Sequence, residues 1–251
     1  EDYEPLLRSD WTIYRGGAVI FRRTENCILH DCYIHNVGGN GIFFDKYNRH
    51  SAITGSFLTS IGASAICFVG DPAGVRSPSF RYEEFVTLDK MDRAKGPLNE
   101  NHPAYCEVYN NLICNIGLFE KQITGVELSM CRNITISHNS IYDTPRAGIN
   151  ISEGTWGGHI IEHNDIFNTV KETGDHGSIN SWGRDRFWHP DYNIMAQIVC
   201  EHPALILADI VNPIIIRHNR LRCDRGWDID LDDCSSNYQI YDNLCLNGGI
   251  K

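Results

Sequence analysis

The phrases LHDCYIH (29–35), ITGSFLT (53–59), VYNNLIC (108–114), ISHNSIY (136–142), IEHNDIF (161–167), IRHNRLR (216–222) and IYDNLCL (240–246) can be laid over one another in a single register. A small or amide residue then recurs at one point: Cys32, Ser56, Asn111, Asn139, Asn164, Asn219 and Asn243. Each phrase carries an apolar residue three places before that point and another two places after it. The steps between ladder positions are 24, 55, 28, 25, 55 and 24 residues. A period in the mid-twenties with strand-type alternation is the signature of a parallel β-helix, in which each coil makes several short strands and turns before passing beneath itself. Stacked Asn side chains can hydrogen-bond to the copies above and below. The fold expected is therefore all-β, a right-handed parallel β-helix.

In the coils without local insertions a second strand follows ten residues after the ladder position, at Ile42-Phe43-Phe44, Ile66-Cys67-Phe68, Ile149-Asn150-Ile151 and Ile229-Asp230-Leu231. In two other coils it follows fifteen residues on, at Val126-Glu127-Leu128 and Ile179-Asn180-Ser181. Side chains alternate across a strand, so the flanking apolar residues face the core and the central residue faces outward. This predicts an external column: Phe43 and Asp45, Cys67 and Val69, Glu127 and Ser129, Asn150 and Ser152, Asn180 and Trp182, Asp230 and Asp232. The two 55-residue steps each hold an excursion, at roughly 71–104 and 184–211, that leaves just after this strand and should wall a groove over the column. Loops of such length in a compact domain are more often functional than accidental.

The chain of 251 residues is 42% hydrophobic and 22% charged, and it reads as one β-helix domain, a fragment of a longer chain. The net charge of -10 disfavours nucleic acid and polyanionic substrates. No apolar run approaches the roughly 20 residues of a membrane helix, and the acidic opening EDYEPLLRSD does not read as a signal peptide. The ten cysteines lack framework spacing, with no CxxC pair, and read as small core or turn residues suited to a reducing, cytoplasmic compartment. Side-by-side association into a homo-oligomer is compatible with such a solenoid.

Chemistry concentrates in three stretches. Gly174 to Asp185 packs Asp175, His176, Asn180, Trp182, Arg184 and Asp185 around one outward strand, a set suited to stacking on and hydrogen-bonding a sugar. Gly226 to Ser236 places Asp228, Asp230 and Asp232 on one face, where like charges raise each other's proton affinity. Glu153 closes the strand that carries Asn150, and Glu127 precedes both in the column. Alternating carboxylates offer oxygen ligands to Ca²⁺, but no EF-hand or nonapeptide spacing is present, and no cofactor is expected.

The motifs GDHGSINSWGRDRFW (174–188) and DIDLDDCSSNYQIYDNLCLNGGIK (228–251) resemble those of β-helix carbohydrate-active proteins, above all the β-xylosidases of glycoside hydrolase family 120. The resemblance implies retaining cleavage of a glycosidic bond. It places the nucleophile at Asp230 or Asp232, and an acid/base Glu on the coil that follows Lys251. Cys234 stands where that pattern has Gly. Two other readings follow from the same architecture. A polysaccharide lyase or epimerase would need cations to neutralise a uronate carboxylate, for which Arg184 and Arg186 are the evident candidates. A non-catalytic carbohydrate-binding solenoid would use the column without a perturbed carboxylate.

Overall fold

The computed structural model describes residues 14–79, 82–152, 156–183 and 185–251. Glu153 and Arg184, both expected to bind substrate, lie outside the described residues. Among the described residues three parallel sheets stack along the solenoid, and each coil contributes a strand to each. The first sheet stacks Val19–Glu25, Ile42–Arg49, Ile66–Val69, Thr124–Ser129, Ala147–Ile151, Gly177–Trp182 and Trp227–Asp232 in that order. The other two sheets, of seven strands each, begin at Tyr33–Val37 and Ile28–His30. The chain is thus an all-β parallel β-helix.

The ladder residue turns each coil between two of the sheets. Asn111 Nδ2 donates to Asn139 Oδ1 at 3.0 Å, Asn139 to Asn164 at 3.0 Å, Asn164 to Asn219 at 3.0 Å and Asn219 to Asn243 at 2.9 Å. Each Oδ1 also accepts the main-chain N–H of the previous ladder residue. Ser56 Oγ does the same for Cys32 N at 3.1 Å. The residue just before each ladder position is left-handed: Asp31, Gly55, Asn110, His138, His163, His218 and Asp242 have φ between 51° and 60°. Asp, Asn, His and Gly are the types that tolerate this conformation, which accounts for the recurrent His-Asn pairs. The three imidazoles then stack on the exterior, His138 on His163 at 4.9 Å and His163 on His218 at 5.0 Å.

Inside the coils the apolar residues form continuous stacks. Ile53, Val108, Ile136, Ile161 and Ile216 line one wall, Leu58, Ile113, Ile141, Ile166 and Leu221 a second, all fully buried. Phe21, Phe44 and Phe68 stack at 4.6 and 4.5 Å on the third. All ten cysteines are free, with Cys106 and Cys131 in this core. Among the described residues no helix is long and apolar enough to cross a membrane.

The two excursions leave after Ile66–Val69 and Gly177–Trp182. The first returns through Pro103–Ala104, which pairs with Ile42–Arg49. The second contains the α-helix Tyr192–Glu201, capped by Asp191, which the sequence reading had as loop. They pack on each other instead of standing apart. Buried Arg186 pairs with Asp209 at 2.6 Å and donates to the carbonyls of Asp92 and Ala94, both at 2.6 Å. Met91, Phe187, Leu205 and Ala208 bury a shared apolar contact.

Candidate active site

The first sheet sets the column in register. Phe43 pairs with Cys67, Cys67 with Glu127, Glu127 with Asn150, Asn150 with Asn180, and Asn180 with Asp230. These residues face away from the interior core, as alternation requires, but they do not line an open groove. Phe43, Cys67 and Val69 are sealed beneath Trp156 and Val75. Glu127, Asn150, Ser152, Asn180 and Trp182 are likewise buried. The expected external groove is therefore corrected to a buried seam, packed at its Phe43 end by Trp156 and by Val75 of the first excursion and bonded within itself farther along.

Within the seam the side chains bond to one another. Asn150 Nδ2 donates to both Glu127 oxygens at 3.2 and 3.0 Å, and Ser152 Oγ donates to Glu127 Oε1 at 2.6 Å. Asn180 Nδ2 donates to Asn150 Oδ1 at 3.3 Å, while its own Oδ1 accepts Gly177 N at 3.1 Å. The chain of donors stops there. Asp230 is 0% exposed, and among the described residues neither carboxylate oxygen accepts a hydrogen bond of good geometry, the nearest donor being the Lys251 ammonium at 3.5 Å.

What faces Asp230 is an ammonium. Ile250 bridges to Ile229, Lys251 N donates to Ile229 O and Leu231 N to Lys251 O, so Lys251 takes the next place in the column. Lys251 Nζ lies 3.5 Å from Asp230, 3.5 Å from Asp232 and 3.4 Å from Asp175, and 4.4 Å from the Trp227 ring centroid. Asp230 Oδ1 and Asp232 Oδ1 each lie 3.5 Å from the same nitrogen, so at most twice that distance separates these two oxygens. Asp230 forms the floor. Asp232, with a side chain 35% exposed, and Asp175, at 75%, form the rim.

Burial pushes the Asp230 carboxyl up to about 6; Lys251 opposes this, and Asp232 and Asp175 add to it. Burial pulls the Lys251 ammonium down, but the three carboxylates outweigh it and its proton is held more tightly than usual. His176 is pulled down to about 4, by burial first and then by the Arg146 guanidinium, against Asp175 and Asp232. Its Nδ1 lies 3.0 Å from Thr173 Oγ1, and its carbonyl accepts Trp227 N at 3.2 Å. The imidazole is thus neutral near pH 7.

Several sequence candidates do other work. Asp228 is not a third free acid: its Oδ1 accepts Cys223 N at 2.7 Å, and its Oδ2 accepts the amides of Asn247, Gly248 and Gly249 at 3.2, 2.9 and 3.0 Å. It anchors the final turn. Asp185 is buried and accepts Ser236 Oγ at 3.2 Å, tying down the second excursion. Trp182 packs against Ala147 and presents no open face for a sugar. Arg186 is spent on Asp209 and the first excursion, away from the acids. Sequence reasoning missed Lys251 and Trp227. The spacing gave no signal for the former: ten residues after Asn243 is position 253, and the pairing of Ile250 with Ile229, 21 residues apart, departs from the ladder period. Among the described residues no group of three or more His, Cys, Asp or Glu side chains is arranged to hold a metal ion.

No protein-family model matches the chain, and no curated protein matches it in sequence. Solved structures do resemble it. The A-module of the mannuronan C-5 epimerase AlgE4 from Azotobacter vinelandii superimposes with a TM-score of 0.56 at 13% identity, over 90% of this chain and 56% of that one. The alginate lyase of Paenibacillus sp. str. FPU-7 gives 0.55 at 15% identity, over 95% and 76%. A glycoside hydrolase gives 0.50 at 12% identity, over 99% and 41%. At these identities the likeness concerns the fold. The chain spans little more than half the length of the epimerase module it matches.

Proposed function

We propose that this β-helix is a carbohydrate-active enzyme, a retaining glycoside hydrolase in which Asp230 is the acid/base and Asp232 the nucleophile. The observation that carries this reading is the contrast between the two acids. Asp230 is enclosed, accepts no hydrogen bond and holds its proton up to about pH 6, while its strand neighbour Asp232 reaches solvent. Environments that separate two carboxyls in this way mark an acid and its partner. The separation of the two Oδ1 atoms, no more than twice 3.5 Å, is compatible with the ~5–5.5 Å of retaining enzymes.

In the first step Asp230 donates its proton to the glycosidic oxygen as that bond breaks, and Asp232 bonds to the anomeric carbon. In the second, water attacks that carbon, Asp230 takes the proton from the water, and the bond to Asp232 breaks. This assignment needs no carboxylate from the coil after Lys251. Asp175 and the Trp227 ring at the rim are suited to hold a sugar's hydroxyls and apolar face. Three carboxylates surround one ammonium, so the site repels a further negative charge, which favours a neutral glycan over a polyuronate. Xylo-oligosaccharides, suggested by the resemblance of the Asp-rich motif, are the first substrates to try.

Asp230→Asn and Asp232→Asn are each expected to lower kcat/KM on aryl xylosides or xylo-oligosaccharides at least about a thousandfold. Wild-type activity should fall as pH rises through about 6, where Asp230 loses its proton. Undiminished rates in both variants would overturn the assignment. A second reading, β-elimination or epimerisation of a uronate, is favoured by Lys251 as a cation among the acids and by the neutral His176 as a base. The names of the epimerase and lyase neighbours suggest the same substrates. Release of unsaturated product from alginate, monitored by absorbance, would put this reading first.

A further inference from the structure

Resting on the assignment of Asp230 and Asp232 as the reactive acids, we propose that Lys251 is a positioning residue whose ammonium keeps Asp230 able to cycle between proton donor and proton acceptor. Asp230 lacks the donors that its column neighbours have. Its column neighbour Asn180 spends its amide N–H on Asn150, and no backbone amide reaches the Asp230 oxygens. An acid buried without donors stays neutral over most of the pH range, because nothing replaces the water that would solvate its anion. Such a group gives up a proton only with difficulty. It would serve the first half of a double displacement, and it would be poorly supported when its anion must take a proton from water in the second.

Lys251 supplies the missing partner. Its Nζ is held by geometry that does not depend on Asp230 alone: the backbone continues the column through Ile250, the Trp227 ring supports the ammonium at 4.4 Å, and Asp175 and Asp232 pull from the rim at 3.4 and 3.5 Å. The distance of 3.5 Å to Asp230 is longer than a charge-assisted hydrogen bond of about 2.7–2.9 Å. The ammonium therefore stabilises the anion without locking it in a tight ion pair. The other charged or titratable groups near this cluster are Asp175 and His176 on the loop before Gly177–Trp182, Arg146, and Asp233 next to Asp232, with Tyr192 of the helix and Tyr82 beside it. Asp228 is on the same strand, but its oxygens are occupied by backbone amides. Of these groups only Lys251 is a cation in contact with Asp230.

The test compares pH profiles of kcat/KM for the whole chain and its variants. In the wild type the upper limit should lie near pH 6. Lys251→Met should move it upward by about one pH unit or more, and Lys251→Arg should return it close to the wild-type position. Asp175→Asn should move it downward by a few tenths, because Asp175 no longer raises Asp230 by its own charge and no longer draws the ammonium to the rim. Lys251→Gln, neutral but polar at this partly exposed position, should move the limit upward as Lys251→Met does and serves if that variant does not fold. An upper limit that stays in place in Lys251→Met, or that rises in Asp175→Asn, overturns the role of Lys251. The function itself is judged separately: if Asp230→Asn keeps full activity, the hydrolase assignment falls whatever Lys251 does.

Discussion

Two stacks of one residue per coil run side by side along this solenoid, and their chemistry diverges. In the ladder from Asn111 to Asn243 every member is an amide, both donor and acceptor, so each side chain passes a hydrogen bond to the next at 2.9–3.0 Å. Such a stack satisfies itself at any length. In the column from Glu127 to Asp230 acceptors and amides alternate unevenly. Asn150 and Asn180 spend their donors on the side toward Glu127, and Asp230 receives none. A repeat that is chemically uniform makes structure, whereas one that runs out of donors leaves a carboxyl with an unusual proton affinity.

The sharpest way to break the comparison is to make the column resemble the ladder. Asp230→Asn should abolish hydrolysis, by at least about a thousandfold, and at the same time raise stability at pH 7. The sign follows from the raised carboxyl. Its folded-state value of about 6 exceeds the ordinary 3.8 of a free Asp, so its contribution to stability is complete below pH 3.8 and is lost as pH rises through 6. An amide has no such loss. The gain, discounted for the surrendered contact with Lys251, should be about 1–2 kcal/mol by urea titration at pH 7, and absent at pH 4.

The converse substitution acts on the ladder. Asn139 is buried, accepts Asn111 N and Nδ2, and donates to Val108 O and Asn164 Oδ1. Asn139→Ala should cost about 3 kcal/mol, because it leaves several buried groups unpaired, and should leave activity per folded molecule unchanged. Equal loss of activity and stability in both variants would erase the distinction between the stacks.

A smaller effect concerns the histidines. His159 is fully buried, with Nδ1 accepting Ile134 N at 3.2 Å, and burial lowers it to about 3; burial also lowers His102 and His176 to about 4. The unfolded chain protonates these rings below about 6.5 while the folded one does not. Stability should therefore fall as pH drops from 6.5 toward 4, by up to about 1.4 kcal/mol per pH unit for each ring. His159→Gln should remove one proton from that slope. The exposed stack His138, His163 and His218 belongs to the ladder's left-handed turns and offers a control site. The smallest expected change is in Trp227→Ala, which withdraws one support from the Lys251 ammonium. It should raise the upper pH limit of activity by a few tenths, less than Lys251→Met does.

Much of the fold could be read without coordinates. The ladder phrases repeat with fixed internal spacing, and a parallel stack tolerates no slip in that spacing, so register follows from composition and period alone. The departures of the two excursions follow from the same arithmetic, since extra residues must leave a coil where its strand ends. The site was legible in part: Asp175, His176, Asp230 and Asp232 do converge. The residues expected to bind sugar along the column do not form an accessible surface, and Asp228, Asp185 and Arg186 are consumed by turns and loops.

The division has a physical cause. Periodicity is a local property, so the sequence by itself settles which side chains stack above one another and which face the core. Access to water is a property of everything packed nearby. Only the folded structure shows that Glu127, Asn150 and Asn180 are buried, a property their place in the column does not fix. Only the return of the chain beside Ile229 brought Lys251 and Trp227 to the acids, and burial beside that one ammonium sets the proton affinity of Asp230.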